Sequence, residues 1–187
     1  MTTDLLNLFR LENKTAMIAG GGGVLSSVMS KVLASMGVRI AVLDLNEEAA
    51  RTVADEIVAS GGKAIAIKCD VLNKQSVQEA FERAVQVFHG VDFLINGAGG
   101  NKAQATTSPD KTFFDLPADA VQFVFNLNFL GTFIPSQVVG KAMAEKGEGV
   151  SVAPVKECPN CQALVHAGVR ECPECGNLFP ENEEAKH

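Results

Sequence analysis

The run Ala19-Gly20-Gly21-Gly22-Gly23-Val24-Leu25 constrains this chain more than any other stretch. It stands between a short apolar segment, Thr15 to Ile18, and a segment with helical periodicity from about Ser26 to Met36. A strand that turns sharply into a helix through glycines forms a cradle for phosphate. Glycines reach φ > 0 and lack a Cβ, so an anion can approach the backbone amides and the positive end of the helix dipole. The run predicts a dinucleotide site. Four consecutive glycines also make a plain flexible loop, so the sequence downstream has to decide between the two.

After the turn, Val28, Met29, Val32, Leu33 and Met36 fall at helical spacing, and Gly37 can cap that helix. Val38 to Leu43 is almost wholly apolar and closes in Asp44, as a strand covered on both faces reads. Asn46 can N-cap a second helix from Glu47 to about Ala59, and Lys63 to Cys69 predicts a third strand closed by Asp70. A third helix follows from about Lys74 to Phe88. His89-Gly90 ends it, with the imidazole read as a capping residue rather than a ligand. Val91 to Ile95 predicts a fourth strand running into Asn96-Gly97-Ala98-Gly99-Gly100. The polar loop from Asn101 to Asp115 is long enough to be functional. A long apolar helix from about Ala118 to Lys146 carries Pro135, which should bend or break it.

Strands alternating with helices three times over predict an α/β fold: a parallel sheet of about four strands with right-handed crossovers, the first part of a doubly wound, Rossmann-type sheet. Asp44 closes the second strand about 20 residues beyond the turn, where a carboxylate can accept both ribose hydroxyls of an adenosine. The alternative is a solvated strand-end carboxylate. An acid there repels a 2′-phosphate, and Leu45 offers no arginine to receive one, so NAD is expected over NADP.

The formal charge of −6 argues against general binding to nucleic acid or anionic membrane. Asp4 stands where a signal peptide wants positive charge, and no apolar run is long enough to span a bilayer. These features lead to the expectation of a soluble cytoplasmic protein.

Cysteine usage is lopsided. Cys69 stands alone, while the end of the chain reads Cys158-Pro159-Asn160-Cys161, ten residues, then Cys172-Pro173-Glu174-Cys175-Gly176. Two Cys-x-x-Cys knuckles can close tetrahedrally on one structural Zn²⁺, forming a small zinc-ribbon module in which metal replaces a core. A redox dithiol or two disulfides are the rival readings. Four thiolates leave no open coordination position, and His166 between the knuckles reads as a surface residue. Lys156, Arg170 and Lys186 are outnumbered by Glu157, Glu171, Glu174, Glu181, Glu183 and Glu184, which favours a protein partner over nucleic acid.

From about Phe9 to Gly149 the chain resembles the short-chain dehydrogenase/reductase (SDR) family. The phosphate turn, Cys69-Asp70-Val71, Asn96-Gly97-Ala98-Gly99 and Asn128-Phe129-Leu130-Gly131 occur in that family's order and at its separations. The Gly-Gly-Gly-Gly-Val-Leu turn, Asn-Gly-Ala-Gly-Gly-Asn and Asn-Phe-Leu-Gly-Thr-Phe look most like its D-mannonate oxidoreductase or fructuronate reductase branch. The resemblance implies that Gly20, Gly21, Gly22, Gly23, Val24 and Leu25 hold the pyrophosphate, Asp44 the adenosine ribose, and Asp70 with Val71 the adenine. Asn96, Gly97, Ala98 and Gly99 would line the nicotinamide ribose. Asn128 falls on the family's helical asparagine, which helps hold a water in the proton relay; Asn126 is two residues early. Within the turn, Ala19 replaces the usual threonine, and Ser26 replaces a third glycine that lets helix and strand pack closely.

The larger departure is an absence. In this family a tyrosine, activated by a lysine four residues later and assisted by a serine, donates or accepts the substrate proton while the nicotinamide exchanges hydride. Lowering a phenol's pKa of about 10 requires a nearby cation. This sequence contains no tyrosine, so a general acid worth roughly 10²–10⁴ in rate is missing. Family-like sequence stops at Gly149. The reading is a truncated dinucleotide-binding domain over 1–149, a junction over 150–156, the ribbon over 157–180 and an acidic tail over 181–187. The expected function is the NAD-binding part of an SDR-like oxidoreductase of sugar-acid or carbonyl-reductase lineage, catalytically incomplete. One alternative is a zinc-ribbon adaptor using the Rossmann part as scaffold. Another is a reductase whose acid comes from a second chain or from Lys141 or Lys146. A sheet stopping at the fourth strand leaves an apolar edge and the 118–146 helix uncovered, which predicts self-association.

Overall fold

Five consecutive buried residues, Thr15–Ala19, form strand β1 at the centre of the sheet, where neighbours on both edges and helices on both faces leave no solvent-facing side. In the computed structural model the described residues are 11–146 and, beyond them, 155–157, 160–161, 164–166 and 175. Around β1 the chain alternates as expected: α1 (Val24–Ser35), β2 (Arg39–Asp44), α2 (Glu47–Ala59), β3 (Lys63–Lys68), α3 (Lys74–Phe88) and β4 (Phe93–Asn96). The sheet is parallel, in the order β3-β2-β1-β4. Register pairs Ala19 with both Leu43 and Asn96, so the carboxyl ends of β2, β1 and β4 lie side by side.

The two-residue period of the strands splits the core into two layers. Met17, Ala19, Ala41 and Leu43 pack with Val77, Ala80, Ala84 and Val139 from the helices on one face. Ala16, Ile18, Ile40 and Val42 pack with Val53, Ala54 and Ile57 of α2 on the other. Local signals set the helix ends. The Asn46 side chain accepts from the Glu48 and Ala49 amides, and Asn73 caps α3 in the same way. His89 closes α3 in the left-handed region at φ 66°, with its N–H donating to Val85 O at 2.8 Å, so it does act as a cap.

Two boundaries differ from the sequence reading. Helix α1 starts at Val24, so Val24 and Leu25 form its first turn instead of the glycine bend. The long C-terminal helix is interrupted, but not at Pro135: α4 (Ala118–Phe125) passes through a π-turn at Asn126–Leu130 into α5 (Gly131–Lys146). The bond that Pro135 cannot donate would go to Gly131, the first residue of α5, beside a ladder the π-turn has already reset. The proline therefore sits inside the helix. The loop after β4 is less polar in effect than its composition suggests, since Phe113 and Phe114 within it are 73% and 92% exposed.

The chain divides into two units, Met1–Lys146 and Gly147–His187. In the second, β5 (Val155–Glu157) pairs antiparallel with β6 (Leu164–His166). Cys161 and Cys175 are exposed, whereas Cys158, Cys172 and the acidic segment 181–187 lie outside the described residues. Among the described residues no group of three or more His, Cys, Asp or Glu side chains could hold a metal, and no helix is long and apolar enough to cross a membrane.

Candidate functional site

The glycine run joins β1 to α1 and touches three other elements at once. Gly20 has φ 64°, and a Cβ there would stand 2.7 Å from the Ala98 backbone. At Gly21 it would stand 2.6 Å from Val42 Cγ1, and at Gly22 2.6 Å from Ala49 Cβ and 3.0 Å from Asp44 Oδ2. No side chain fits at any of the three positions. The bend is tied by Gly21 N–H to Leu43 O at 2.8 Å and Gly23 N–H to Gly20 O at 3.0 Å.

Beyond the bend, α1 begins with an open end. Helices α2 and α3 have asparagine side chains on their leading amides, but the N-cap of α1 is Gly23, which makes no side-chain cap, and its first turn holds no acidic residue. The leading amides of α1 therefore lack the acceptor that a helix start requires, and an anion would supply it. Val24 and Leu25 are 84% and 79% exposed, so they contribute backbone amides here, not packed side chains.

Asp44 is aimed at this bend. Oδ2 accepts from Gly22 N–H at 3.0 Å and Oδ1 from Asn46 N–H at 2.9 Å, which fixes the carboxylate above the turn. At the end of β3, the Asp70 N–H donates to Ser76 Oγ at 3.0 Å and its carboxylate accepts from Leu72 N–H at 3.0 Å. Val71 is buried, and a Cβ on Gly131 would stand 3.2 Å from its Cγ2. Next to it the Cys69 thiol is pushed up to about 11, chiefly by burial.

The segment after β4 completes the rim. Gly97 N–H donates to Ala19 O at 3.0 Å. A Cβ at Gly97 would come 2.2 Å from Ser26 Oγ, and Ser26 is 3% exposed. The side chain gained at Ser26 is thus accommodated by the one missing at Gly97, so helix and sheet still pack closely. Asn128 reaches the same segment: its Oδ1 accepts from Gly100 N–H at 3.2 Å and its Nδ2 donates to Gly100 O at 2.8 Å and Val124 O at 2.7 Å. Asn126 is turned elsewhere and accepts from Gln122 Nε2 at 2.7 Å.

The structure thus gathers the turn, Asp44 and Asn96 to Gly99 at the carboxyl ends of β1, β2 and β4, the crevice where open α/β sheets take ligands. Lys141, an alternative proton donor by sequence, lies exposed 3.7 Å from Glu145. Two partners escape a reading of the sequence. Ser76 holds Asp70, and Ser136 Oγ accepts from Asn96 Nδ2 at 3.1 Å. Ser136 is eight residues from Asn128, a spacing that points to a different face of an unbroken helix, and nothing in the sequence marks the π-turn.

A family model for short chain dehydrogenases matches residues 14–154. An uncharacterized oxidoreductase of Haemophilus influenzae is 47% identical over 146 residues, covering 73% of this chain and 51% of that protein. The 7alpha-hydroxysteroid dehydrogenase of Escherichia coli K12 is 33% identical, covering 75% of this chain and 52% of that enzyme. A Haemophilus crystal structure, provisionally described as a D-mannonate oxidoreductase and holding bound NAD, superposes with a TM-score of 0.68 at 44% identity, over 75% of this chain and 54% of that one. The chain spans about half the length of the relatives it matches. With the glycine turn, the parallel sheet and the rim at its carboxyl ends in place, the family match over most of its length shows that this chain belongs to the short chain dehydrogenase family.

Proposed function

We propose that the unit ending at Lys146 binds NAD across the carboxyl ends of β1, β2 and β4 and that this polypeptide does not complete the family's reaction. The observation that carries the reading is the pairing of an uncapped α1 N-terminus, reached through glycines that admit no Cβ, with an Asp44 carboxylate tied to the same turn. NAD bound there would supply the hydride acceptor. The amides from Gly20 to Leu25 hold the pyrophosphate, Asp44 accepts from the adenosine ribose, Asp70 and Val71 flank the adenine, and Asn96 to Gly99 line the nicotinamide ribose. Asn128 fixes the end of that last segment through Gly100. The Asp44 carboxylate and the neutral Leu45 disfavour a 2′-phosphate, so NAD is preferred to NADP. The bound NAD of the Haemophilus structure supports the same choice.

The proton has no matching donor in this chain, because the sequence lacks tyrosine. The lineage is that of sugar-acid or carbonyl reductases, as the D-mannonate description of one relative and the D-threitol dehydrogenase description of another suggest. Calorimetry tests the reading. NAD should bind more tightly than NADP and lose affinity in Asp44→Ala, with no hydride transfer to sugar acids or ketones; no heat with millimolar NAD would sink the cofactor role.

A second reading concerns the unit from Gly147, where Cys158 to Cys161 lies in sequence between the paired strands β5 and β6. A hairpin with a Cys-x-x-Cys pair between its strands is a frame for a Zn²⁺ knuckle, and Cys158, Cys161, Cys172 and Cys175 would close a four-thiolate structural site. Such a ribbon would serve as an adaptor for a protein partner. Metal analysis of protein purified without chelator should find one zinc per chain. Self-association through β4 and the 118–146 helix goes with the first reading, because Phe93–Asn96 carries no charge and Phe125, Phe129 and Phe133 remain half exposed.

A further inference from the structure

One interrupted helix grips both ends of the segment from Asn96 to Gly100. At one end Asn96 Nδ2 donates to Ser136 Oγ at 3.1 Å, and that hydroxyl donates onward to Thr132 O at 2.7 Å. At the other end Asn128 brackets Gly100 through its N–H and its carbonyl. On an unbroken α-helix turning about 100° per residue, positions eight apart sit about 80° from one another. The π-turn Asn126–Leu130 inserts an extra residue and takes up part of that offset, so Asn128 and Ser136 reach one loop.

The hydrogen-bond directions then select one orientation of the Asn96 amide. The Ser136 proton is committed to Thr132 O, so Ser136 meets Asn96 as an acceptor and takes Nδ2. Asn96 Oδ1 is left buried and without a partner. Two other buried side-chain atoms among the described residues share that condition, Thr15 Oγ1 and Arg39 Nε, and both belong to the first residue of their strands. Asn96 Oδ1 alone lies at the carboxyl-end rim. With no accessible surface that oxygen is out of a ligand's reach, so what the Ser136 bond fixes is the placement of Asn96 and of the glycines that follow it.

We infer that Ser136 is a positioning residue for the nicotinamide half of the dinucleotide: by taking Asn96 Nδ2 it anchors the start of the segment from Asn96 to Gly99 that would line the nicotinamide ribose. The inference rests on the NAD reading and adds to it a residue outside the family motifs. Its test is calorimetry of the full chain with NAD and with ADP, which lacks the nicotinamide half, for wild type, Ser136→Ala and Ser136→Thr. Ser136→Ala should lower NAD affinity about three- to tenfold, the net worth of one hydrogen bond, and leave ADP affinity unchanged. Ser136→Thr, which keeps the hydroxyl, should restore NAD affinity. Equal losses for both ligands, or none, would overturn the proposal. Side-chain amide NMR of the ligand-free chain separates this outcome from failure of the NAD reading. Asn96 NH₂ resonances at hydrogen-bonded shifts in wild type and Ser136→Thr but moved in Ser136→Ala support the latch, and identical resonances in all three discard it even if NAD binds. Wild type that binds neither NAD nor ADP discards the dinucleotide reading and this role with it.

Discussion

Strands β3 and β4 are both edge strands among the described residues, yet they are built for different surroundings. β3 is six residues long and begins and ends in exposed lysines, Lys63 and Lys68, the usual protection of an edge that meets water. β4 is four residues long and carries no charge, and among the described residues two apolar surfaces stay exposed. On α1, Lys31 pairs with Glu56 of α2, so Met29, Val32 and Met36, about 100–160° around that helix, look away from that pairing. They are 39%, 54% and 45% exposed. On the other helical layer Phe125, Phe129 and Phe133 stack in a row, with centroids 5.5 and 5.9 Å apart. Among the described residues the sheet thus has a charged edge on the side that would hold adenosine and an apolar edge on the side that would hold nicotinamide.

The largest effect should come from disturbing the glycine turn. Gly20→Val places a Cβ against the Ala98 backbone at a positive φ, and the combined strain and overpacking should cost about 3 kcal/mol or more and abolish NAD binding. Gly100, beyond β4, has open space where a Cβ would stand, and Gly100→Ala should change stability by less than about 0.5 kcal/mol. Urea unfolding of the two variants measures the contrast directly; similar losses would erase it.

Asp44→Ala comes next. It removes the acceptor for the Gly22 and Asn46 amides as well as the ribose contact, so NAD affinity should fall about tenfold or more by calorimetry. Unchanged affinity would leave Asp44 as a turn-holding residue only.

The third test addresses the open edge. Val32→Lys puts a charge on the exposed α1 stripe and should weaken self-association about tenfold in sedimentation velocity without lowering the unfolding midpoint, whereas Lys68→Ala at the β3 edge should leave association unchanged. A wild-type chain that stays monomeric at high concentration would show that the open edge does not drive assembly.

A further effect, confined to high pH, is a pH dependence at the end of β3. Burial raises the Cys69 thiol in the folded chain to about 11 from an ordinary value of 9.0, so its contribution is complete below pH 9 and is lost as pH rises through 11. Wild type should lose stability over that window relative to Cys69→Val, which has nothing to titrate there; parallel curves would refute the shift.

The alternation of strands and helices is readable because periods of 2 and 3.6 residues are set by which face each segment buries. The cap at Asn46 and the role of His89 follow from local chemistry, and the structure places them accordingly. The approach of Asp44 to the glycine turn is legible for a related reason: strand length and a short crossover bring the ends of β1 and β2 into register. The π-turn is not legible, since its cause is tertiary. Asn128 and Ser136 on either side of it contact one loop, which no local pattern of residues announces. The exchange between Ser26 and Gly97 is hidden too, because the two positions lie 71 residues apart and meet only when β4 docks on β1.

The central claim is that the unit ending at Lys146 clasps a dinucleotide at the turn between β1 and α1. It is tested most directly by amide NMR of the whole chain during titration with NAD. The largest shifts should fall on Gly20 to Leu25 and Asp44, with smaller ones on Asn96 to Gly100 and none along β3 away from Asp70. Shifts that spare the glycine turn at saturating NAD would contradict it.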